Sequence, residues 1–408
     1  MGKQSKIGPV CNGFDTFQLK SVLVKNDAGD WGGEPDKNAV GVIRSTNFNN
    51  NGKLDLSDIA YRTLTPKKFS EKKLCVSDIL IERSGGSETQ PVGRVGYITD
   101  DVAKTDYAFA NFIQRISFDE TVDAKFVYYC LQQMYEMGIT AGMQSQTTGI
   151  RNLDWKQYIK VHLPKPSLSE QTAIATLLSK VDEAIAAVQA SIAATERLKK
   201  SLMQNLLTGR MKPDGTFRTP DEFYMDEKFG KVPKGWKCDR FKEFAVLQRG
   251  ADLTDNEVVP GNYPVIKSNG VSIWHNQYFV EPPGVVTGRS GTIGKAFYIE
   301  EKFWAHNTTL YVKDFKGNVP KYIYYLILSM DFSRYYAGTT VPTLNRNDIH
   351  KLRVAIPKSY DEQQQIVSLL DAMINKIQQK RHKMATLERL KKSLMQNLLT
   401  GRVRVNDI

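Results

Sequence analysis

Side chains that can address a polyanion recur in short glycine-punctuated stretches of this 408-residue chain, and they recur twice. Arg44 and Ser45, with Asn47 just beyond, follow Val42-Ile43; Lys267 and Ser268, with Asn269, follow Val265-Ile266. Arg83-Ser84-Gly85 is answered by Arg289-Ser290-Gly291-Thr292, and Gly93-Arg94 by Gly294-Lys295. A loop carrying Gln144, Gln146, Thr148, Arg151 and Asn152 has its counterpart in Thr339, Thr340, Asn345 and Arg346. An arginine fork matches the acceptor edge of guanine and an Asn or Gln amide the edge of adenine, while Lys, Ser and Thr hold phosphates. Glycine turns let backbone N–H groups approach an anion as well. The candidate DNA-contacting residues are therefore Arg44, Ser45, Asn47, Arg83, Ser84, Arg94, Gln144, Gln146, Thr148 and Arg151 in one half. In the other they are Lys267, Asn269, Arg289, Ser290, Thr292, Lys295, Thr340, Asn345 and Arg346. Taken singly, each reads as a solvated loop residue; the doubling in equivalent loops carries the functional reading.

Catalytic motifs do not accompany this set. No GxxxxGK[ST] phosphate loop occurs, no Asn-Pro-Pro-aromatic tetrapeptide of the kind amino-methyltransferases use (Glu281-Pro-Pro-Gly284 is not one), and no FxGxG-like cofactor loop before a helix. The histidines (His162, His275, His306, His350, His382) lack metal-ligand spacing, and the dispersed Cys11, Cys75, Cys130 and Cys238 read as reduced, packed thiols. A nuclease pattern can be assembled only loosely, from Pro35-Asp36 and Glu71-Lys72-Lys73. The expectation is a chain with no catalytic residue, no metal and no cofactor of its own.

The composition is that of a globular protein, 41% hydrophobic and 25% charged, and the net charge of +12 suits an anionic partner. That excess is spread along the chain without a polybasic tail, which places any nucleic-acid surface on a folded face. The Met1 end lacks an apolar signal core and no apolar run reaches 18 residues, so the sequence reads as soluble and cytoplasmic, with no membrane contact.

These loops must be positioned by a repeated scaffold. Glu196-Arg-Leu-Lys-Lys-Ser-Leu-Met-Gln-Asn-Leu-Leu-Thr-Gly-Arg210 returns without change as Glu388 to Arg402. Collinear shorter matches link the remainder: Lys125-Phe-Val-Tyr-Tyr129 with Lys321-Tyr-Ile-Tyr-Tyr325, Ala141-Gly142 with Ala337-Gly338, and Leu163-Pro-Lys165 with Ile356-Pro-Lys358. In the first half strands are expected at Val40–Ile43, Ile79–Glu82, Val95–Ile98, Phe109–Ile116 and Lys160–Lys165, a helix at Asp123–Tyr135, and a surface turn at Asn47–Gly52. A long helix then begins at the N-cap Ser169. Its apolar positions Ile174, Leu178, Val181, Ile185, Val188 and Ile192 repeat every 3.5 residues, as in a coiled-coil seam. The stripe changes phase at Leu198, Leu202 and Leu206, expected to hold the helical pair, and Gly209 stops a rod of about 60 Å. A second such helix starts near Asp361 and carries Ile366, Leu370, Met373 and Ile377. Two such seams in one chain predict an antiparallel pair relating the halves by a pseudo-twofold axis. The division follows: 1–163 and 212–357 globular (212–233 a linker), 164–211 and 358–408 helical.

At this point the chain resembles, over essentially its full length, the specificity subunit of a type I restriction–modification enzyme. The resemblance rests on two divergent globular halves, each closing in Pro-Lys, then Glu-Gln (Glu170-Gln171; Glu362-Gln363), then a Leu-rich helix ending Leu-Leu-Thr-Gly-Arg, and on Val232-Pro-Lys-Gly-Trp236 at the start of half two. It implies an α+β fold: two mixed α/β target-recognition domains joined by two long antiparallel coiled-coil helices, each domain reading half of a bipartite, asymmetric site on double-stranded DNA. It also implies two methylation subunits bringing S-adenosylmethionine, and restriction subunits that use ATP and Mg2+. The identical segments become equivalent docking surfaces, with Arg197, Lys200 and Gln204, and Arg389, Lys392 and Gln396, expected to face the methylation subunits. Thr148-Gly-Ile-Arg-Asn152 and Val341-Pro-Thr-Leu-Asn345 match only loosely. The competing reading is a coiled-coil scaffold whose two domains bind proteins.

Overall fold

The computed structural model describes residues 3–87, 90–147, 150–332 and 343–405. Thr148, Thr339 and Thr340 lie outside these residues, as does the Ala337-Gly338 match, and only the backbone of Gln146 is described. The chain divides into two compact units, Met1–Val188 with Lys383–Ile408, and Gln189–His382. The first long helix is Leu168–Leu207 and the second Tyr360–Leu398, so each unit holds one segment of each.

The first unit is built on a four-stranded antiparallel sheet ordered Leu23–Ala28, Ile113–Phe118, Ile79–Glu82, Val95–Tyr97. A three-stranded sheet lies in the same unit, with Val40–Ile43 between the parallel Tyr107–Phe109 and the antiparallel Ala60–Arg62. The helix Ala124–Glu136 is capped by the Asp123 carboxylate, which accepts from the Lys125 and Phe126 amides. It buries Phe126, Val127, Tyr129, Leu131 and Met134 in the core.

The second unit repeats the plan. Its four-stranded sheet runs Val246–Arg249, Thr309–Asp314, Gly284–Gly288, Ala296–Ile299, and its three-stranded sheet has Tyr263–Lys267 between Gly270–His275 and the parallel Trp304–Ala305. The helix Pro320–Ser329 packs Tyr322, Ile323, Tyr325 and Ile327 inward.

The Glu-Gln pair that opens each long helix has a mechanical role. Gln171 is buried; its amide donates to the Pro166 carbonyl and its Oε1 accepts from the Asp123 N–H, at 3.0 and 2.8 Å. Gln363 does the same with Pro357 and Val319, both at 2.9 Å. One side chain thus ties the last strand of each domain to the start of its helix. The helices are capped by Ser167 and Ser359, whose hydroxyls accept from the Glu170 and Glu362 amides at 3.3 and 3.2 Å. The cap of the first helix is therefore Ser167, two residues before the expected Ser169, because the chain turns helical directly after Pro166.

Within each unit the helix segments run antiparallel. In the first, Glu170 pairs with Arg404 (2.5 Å) and Asp182 with Lys391 (2.8 Å), so one segment ascends as the other descends. In the second, Lys380 donates to Ser191 and Thr195 (2.7 and 2.6 Å), while Leu206 shares a core with Ile366 and Leu370. Ile174, Leu178, Val181, Ile185 and Ile192 are buried, as the 3.5-residue spacing requires.

The repeated segment departs from its expected role in the pair. Leu198 is exposed, Leu202 half-buried, and Leu206 and Leu207 enter the core of the second globular domain beside Trp236 and Phe241. Their counterparts Leu398 and Leu399 enter the core of the first beside Phe14 and Phe17. Each such leucine contributes about 1.5–3 kcal/mol by burial, which holds the end of each helix on its domain. Three local expectations also change. The turn within Asn47–Gly52 reaches the surface only at Asn50 and Asn51, because Asn47 and Gly52 are buried and the Tyr128 hydroxyl donates to the Gly52 carbonyl. The linker 212–233 folds into a hairpin, Phe223–Asp226 with Gly230–Pro233. Phe109–Ile116 is two strands broken by a turn at Ala110-Asn111-Phe112.

Candidate nucleic-acid interface

The topology brings three loops together in each unit. In the first, Ser45 follows Val40–Ile43 and its hydroxyl donates to the Ser84 carbonyl at 3.2 Å. The Ser84 hydroxyl bonds Asn152 Oδ1 at 2.5 Å, and Ser84–Gly86 forms a small sheet with the hairpin Gln144–Thr147 and Ile150–Leu153. Gly85 has φ +111°, and a Cβ there would lie 3.6 Å from Ser45 Oγ, so the glycine turn passes directly over the serine loop. Arg83 is half-buried and oriented: Nη1 donates to Gln114 Oε1 at 2.9 Å and the guanidinium lies 5.7 Å from the Trp155 ring centroid. Gln114 and Trp155 both donate to Asn26 Oδ1, which fixes that cradle. Arg83, Ser45, Ser84, Gln144 and Arg151 therefore stand on adjoining loops; Ser45 and Ser84 also serve the loop scaffold, and half-buried Gln144 donates to the Thr140 carbonyl at 3.3 Å.

The second unit assembles the same loops with different chemistry. The Arg289 carbonyl accepts from the Leu344 N–H at 2.7 Å, and Ser290 bridges Thr343, which brings the later loop beside the glycine turn. Gly291 has φ +84° and faces Ser268 Oγ as Gly85 faces Ser45. Lys267, Arg289, Ser290 and Thr292 are half-buried; Asn269, Lys295, Asn345 and Arg346 are exposed. Asn345 also caps the helix Arg346–Lys351, accepting from the Asn347 N–H at 2.9 Å. Burial, and next the positive charge of Lys267, hold the His306 imidazole below its ordinary pKa.

Three expected contact residues do other work. Arg94 is 6% exposed and forms a bidentate ion pair with the fully buried Glu82, at 2.8 and 2.7 Å. It also donates to the carbonyls of Ser45 and Phe48. It is withdrawn from any ligand and instead pins the turn that presents Arg44 and Ser45. Burial pushes the Glu82 carboxyl up in pKa, against the pull of the guanidinium. Among the described residues its counterpart Lys295 has no such partner, since Gly288 stands where Glu82 does. Asn47 is likewise structural: it is buried, accepts from the Arg44 N–H and donates to the Asp55 and Asp58 carbonyls. Arg44 keeps its place at the loop, but its guanidinium is paired with Asp58 at 2.7 Å.

A fourth element was not foreseen. The turn Ala110–Phe112 and the turn His306–Thr308 sit between the other loops, since the Arg83 and Arg289 N–H groups donate to the Phe112 and Thr308 carbonyls, both at 2.8 Å. The signal was present: Asn111 and Asn307 stand at the same spacing as Lys125 and Lys321.

Away from the loops, Arg197, Lys200 and Gln204 are exposed, and so are Arg389, Lys392 and Gln396. Leu198 and Leu390 lie among them, 52% and 46% exposed. The repeat therefore offers the same mixed basic and apolar surface in each unit. Among the described residues no three His, Cys, Asp or Glu side chains are placed to hold a metal ion, and no helix is long and apolar enough to cross a membrane.

Comparison with known proteins agrees with this architecture. The chain is 24% identical over 376 residues to the type I restriction enzyme MjaVIII specificity subunit of Methanocaldococcus jannaschii, covering 84% of this chain and 83% of that one. It is 20% identical over 431 residues to the putative MjaX specificity subunit of the same organism, covering 99% and 96%. The fold is that of the type I restriction–modification S subunit from M. genitalium (TM-score 0.59, 14% identity, covering 97% and 99%). A chain from a structural study of complex assembly and conformational transition of the type I R-M system also superposes, with a TM-score of 0.56, 13% identity, and coverage of 97% and 99%. The model of the type I restriction modification DNA specificity domain matches twice, over residues 13–197 and 233–389, once in each repeat. The chain thus belongs to the family of type I restriction–modification specificity subunits, and its function is DNA recognition.

Proposed function

We propose that the chain selects a bipartite, asymmetric site on double-stranded DNA, with residues 1–163 reading one half-site and residues 212–357 the other. The helical parts, 164–211 and 358–408, carry the docking faces. Arg197, Lys200 and Gln204 receive one methylation subunit, and Arg389, Lys392 and Gln396 receive a second copy. The observation that carries this reading is the contrast between sameness and difference. One exposed face is repeated without change, while the loops in equivalent places present Arg83, Gln144 and Arg151 in one unit and Lys267, Arg289, Asn345 and Arg346 in the other. A shared partner explains the first and two different DNA sequences explain the second. Catalysis falls to the partners: S-adenosylmethionine sits on the methylation subunits, ATP and Mg2+ on the restriction subunits, and none on this chain. The complex works in the cytoplasm.

Co-expression with a methylation subunit, followed by modified-base sequencing of the host DNA, tests the proposal. A split motif with two unlike halves is expected; absent or sequence-random methylation overturns it. The affinity of the complex for its site should also fall steeply with salt, as release of condensed counterions requires, whereas a protein-binding scaffold would show no DNA motif at all.

A further inference from the structure

Resting on that reading of the loops as the DNA face, we infer that the turns carrying Asn111 and Asn307 are sequence-reading elements, each offering a carboxamide to a base edge of its own half-site. The two turns are built alike. Ile113 N–H donates to the Ala110 carbonyl and Thr309 N–H to the His306 carbonyl, both at 2.9 Å, so each Asn sits second in a closed four-residue turn. Each is buttressed from behind by a glycine that admits no side chain. A Cβ on Gly29 would lie 2.0 Å from the Phe109 carbonyl oxygen, and one on Gly250 2.2 Å from that of His306. Each turn is also the keystone between two loops of the DNA face. The Ala110 and His306 N–H groups donate to the Ile43 and Ile266 carbonyls at 2.9 and 3.0 Å, directly before Arg44 and Lys267. The Phe112 and Thr308 carbonyls then receive Arg83 and Arg289.

An asparagine in a turn ordinarily bonds its own backbone, as Asn47 and Asn49 do here. Among the described residues, neither Asn111 nor Asn307 uses its carboxamide that way or bonds any other group. A donor–acceptor pair held on a rigid turn at the centre of such a face has the chemistry to bond adenine N6 and N7 together. The neighbour differs between units. Phe112 is 46% exposed and offers an apolar surface to a thymine methyl, whereas the Thr308 hydroxyl is engaged with His306 Nδ1 at 3.0 Å. The two turns therefore read unlike base steps.

The test uses the full chain co-expressed with its methylation subunit, the recognised motif being read by modified-base sequencing. Asn111→Ala should relax one position of one half-site, lowering discrimination there by about ten- to a hundredfold, with the other half-site and the spacer unchanged. Asn307→Ala should do the same to the other half-site. Asn111→Asp keeps the turn but presents acceptors only, and should move preference toward cytosine at that position. An unchanged motif in all three variants overturns the inference, and so does a uniform loss of methylation at every site, which marks a phosphate contact or a structural role. A wild-type chain giving no split motif would instead refute the proposed function itself.

Discussion

Arg94 separates a structural arginine from a DNA-reading one, and replacing it with methionine gives a measurable contrast. The substitution fills most of the volume but leaves the Glu82 carboxylate, 0% exposed, without its bidentate partner. Orphaning one member of a buried pair costs about 3–5 kcal/mol. The Ser45 and Phe48 carbonyls lose a donor as well, at about 1 kcal/mol each where water cannot replace it. A loss of about 5–7 kcal/mol in the first unit is therefore expected, a large share of the roughly 5–15 kcal/mol that holds a domain folded. Removing both charges with Glu82→Leu and Arg94→Met should restore most of it, because a hydrophobic pair of similar volume avoids the desolvation of two ions. Urea unfolding of the purified chain, followed by tryptophan fluorescence, measures the single and double variants. An Arg94→Met protein that unfolds at the wild-type midpoint but binds DNA more weakly would refute the structural assignment, because that is how a surface arginine in contact with phosphate behaves.

Gly209 and Gly401 end the two repeated segments at φ +68° and +73°, and a Cβ would lie 2.3 Å from Pro233 Cγ and 2.4 Å from Cys11 Sγ respectively. Alanine at either position should cost about 1–2 kcal/mol for the left-handed backbone and about 1–3 kcal/mol more for overpacking. At Gly138 (φ +70°, open space) only the first cost applies, so equal denaturation midpoints for the three alanine variants would contradict the packing. Burial, and secondarily the charges of Arg346 and Lys242, hold the His350 imidazole below its ordinary pKa of 6.5, and its Nε2 accepts from the Leu247 N–H at 2.9 Å. The native state thus binds fewer protons than the unfolded one, so stability should decline as pH falls through and below about 6.5. His350→Gln should flatten that dependence in thermal melts between pH 7 and 5; an identical slope would remove His350 as its source.

Much of this protein is legible in the chain because the signals are local or repeated. The apolar runs Val40–Ile43 and Ile79–Glu82 form strands with those bounds, and the 3.5-residue stripe from Ile174 to Ile192 is the buried side of its helix. The exact recurrence of Glu196–Arg210 marks two equivalent units in the residue order alone. The candidate site was legible as a set of loops, less so as a set of contacts. Arg83 and Arg94 look alike in sequence, each within two residues of a glycine, and only the folded structure shows one cradled by Gln114 and Trp155 and the other locked to Glu82. The break at Asn111 was hidden because Phe, Ile and Gln around it suit a continuous strand; the carbonyls packed against Gly29 come from residues eighty positions away.

The sequence by itself determined the doubling, the long helices and the division between constant and divergent parts, since periodicity and identity are properties of residue order. Tertiary structure decided which side chains remain free to meet a ligand. A charged group's availability depends on whether a partner lies on the neighbouring element, as Glu82 does for Arg94 across a sheet and Asp182 for Lys391 between the long helices. It decided, too, that the last leucines of each repeat seat in a globular core rather than in the helical seam, where Phe14 and Phe17, or Trp236 and Phe241, share the apolar cluster that takes them out of water.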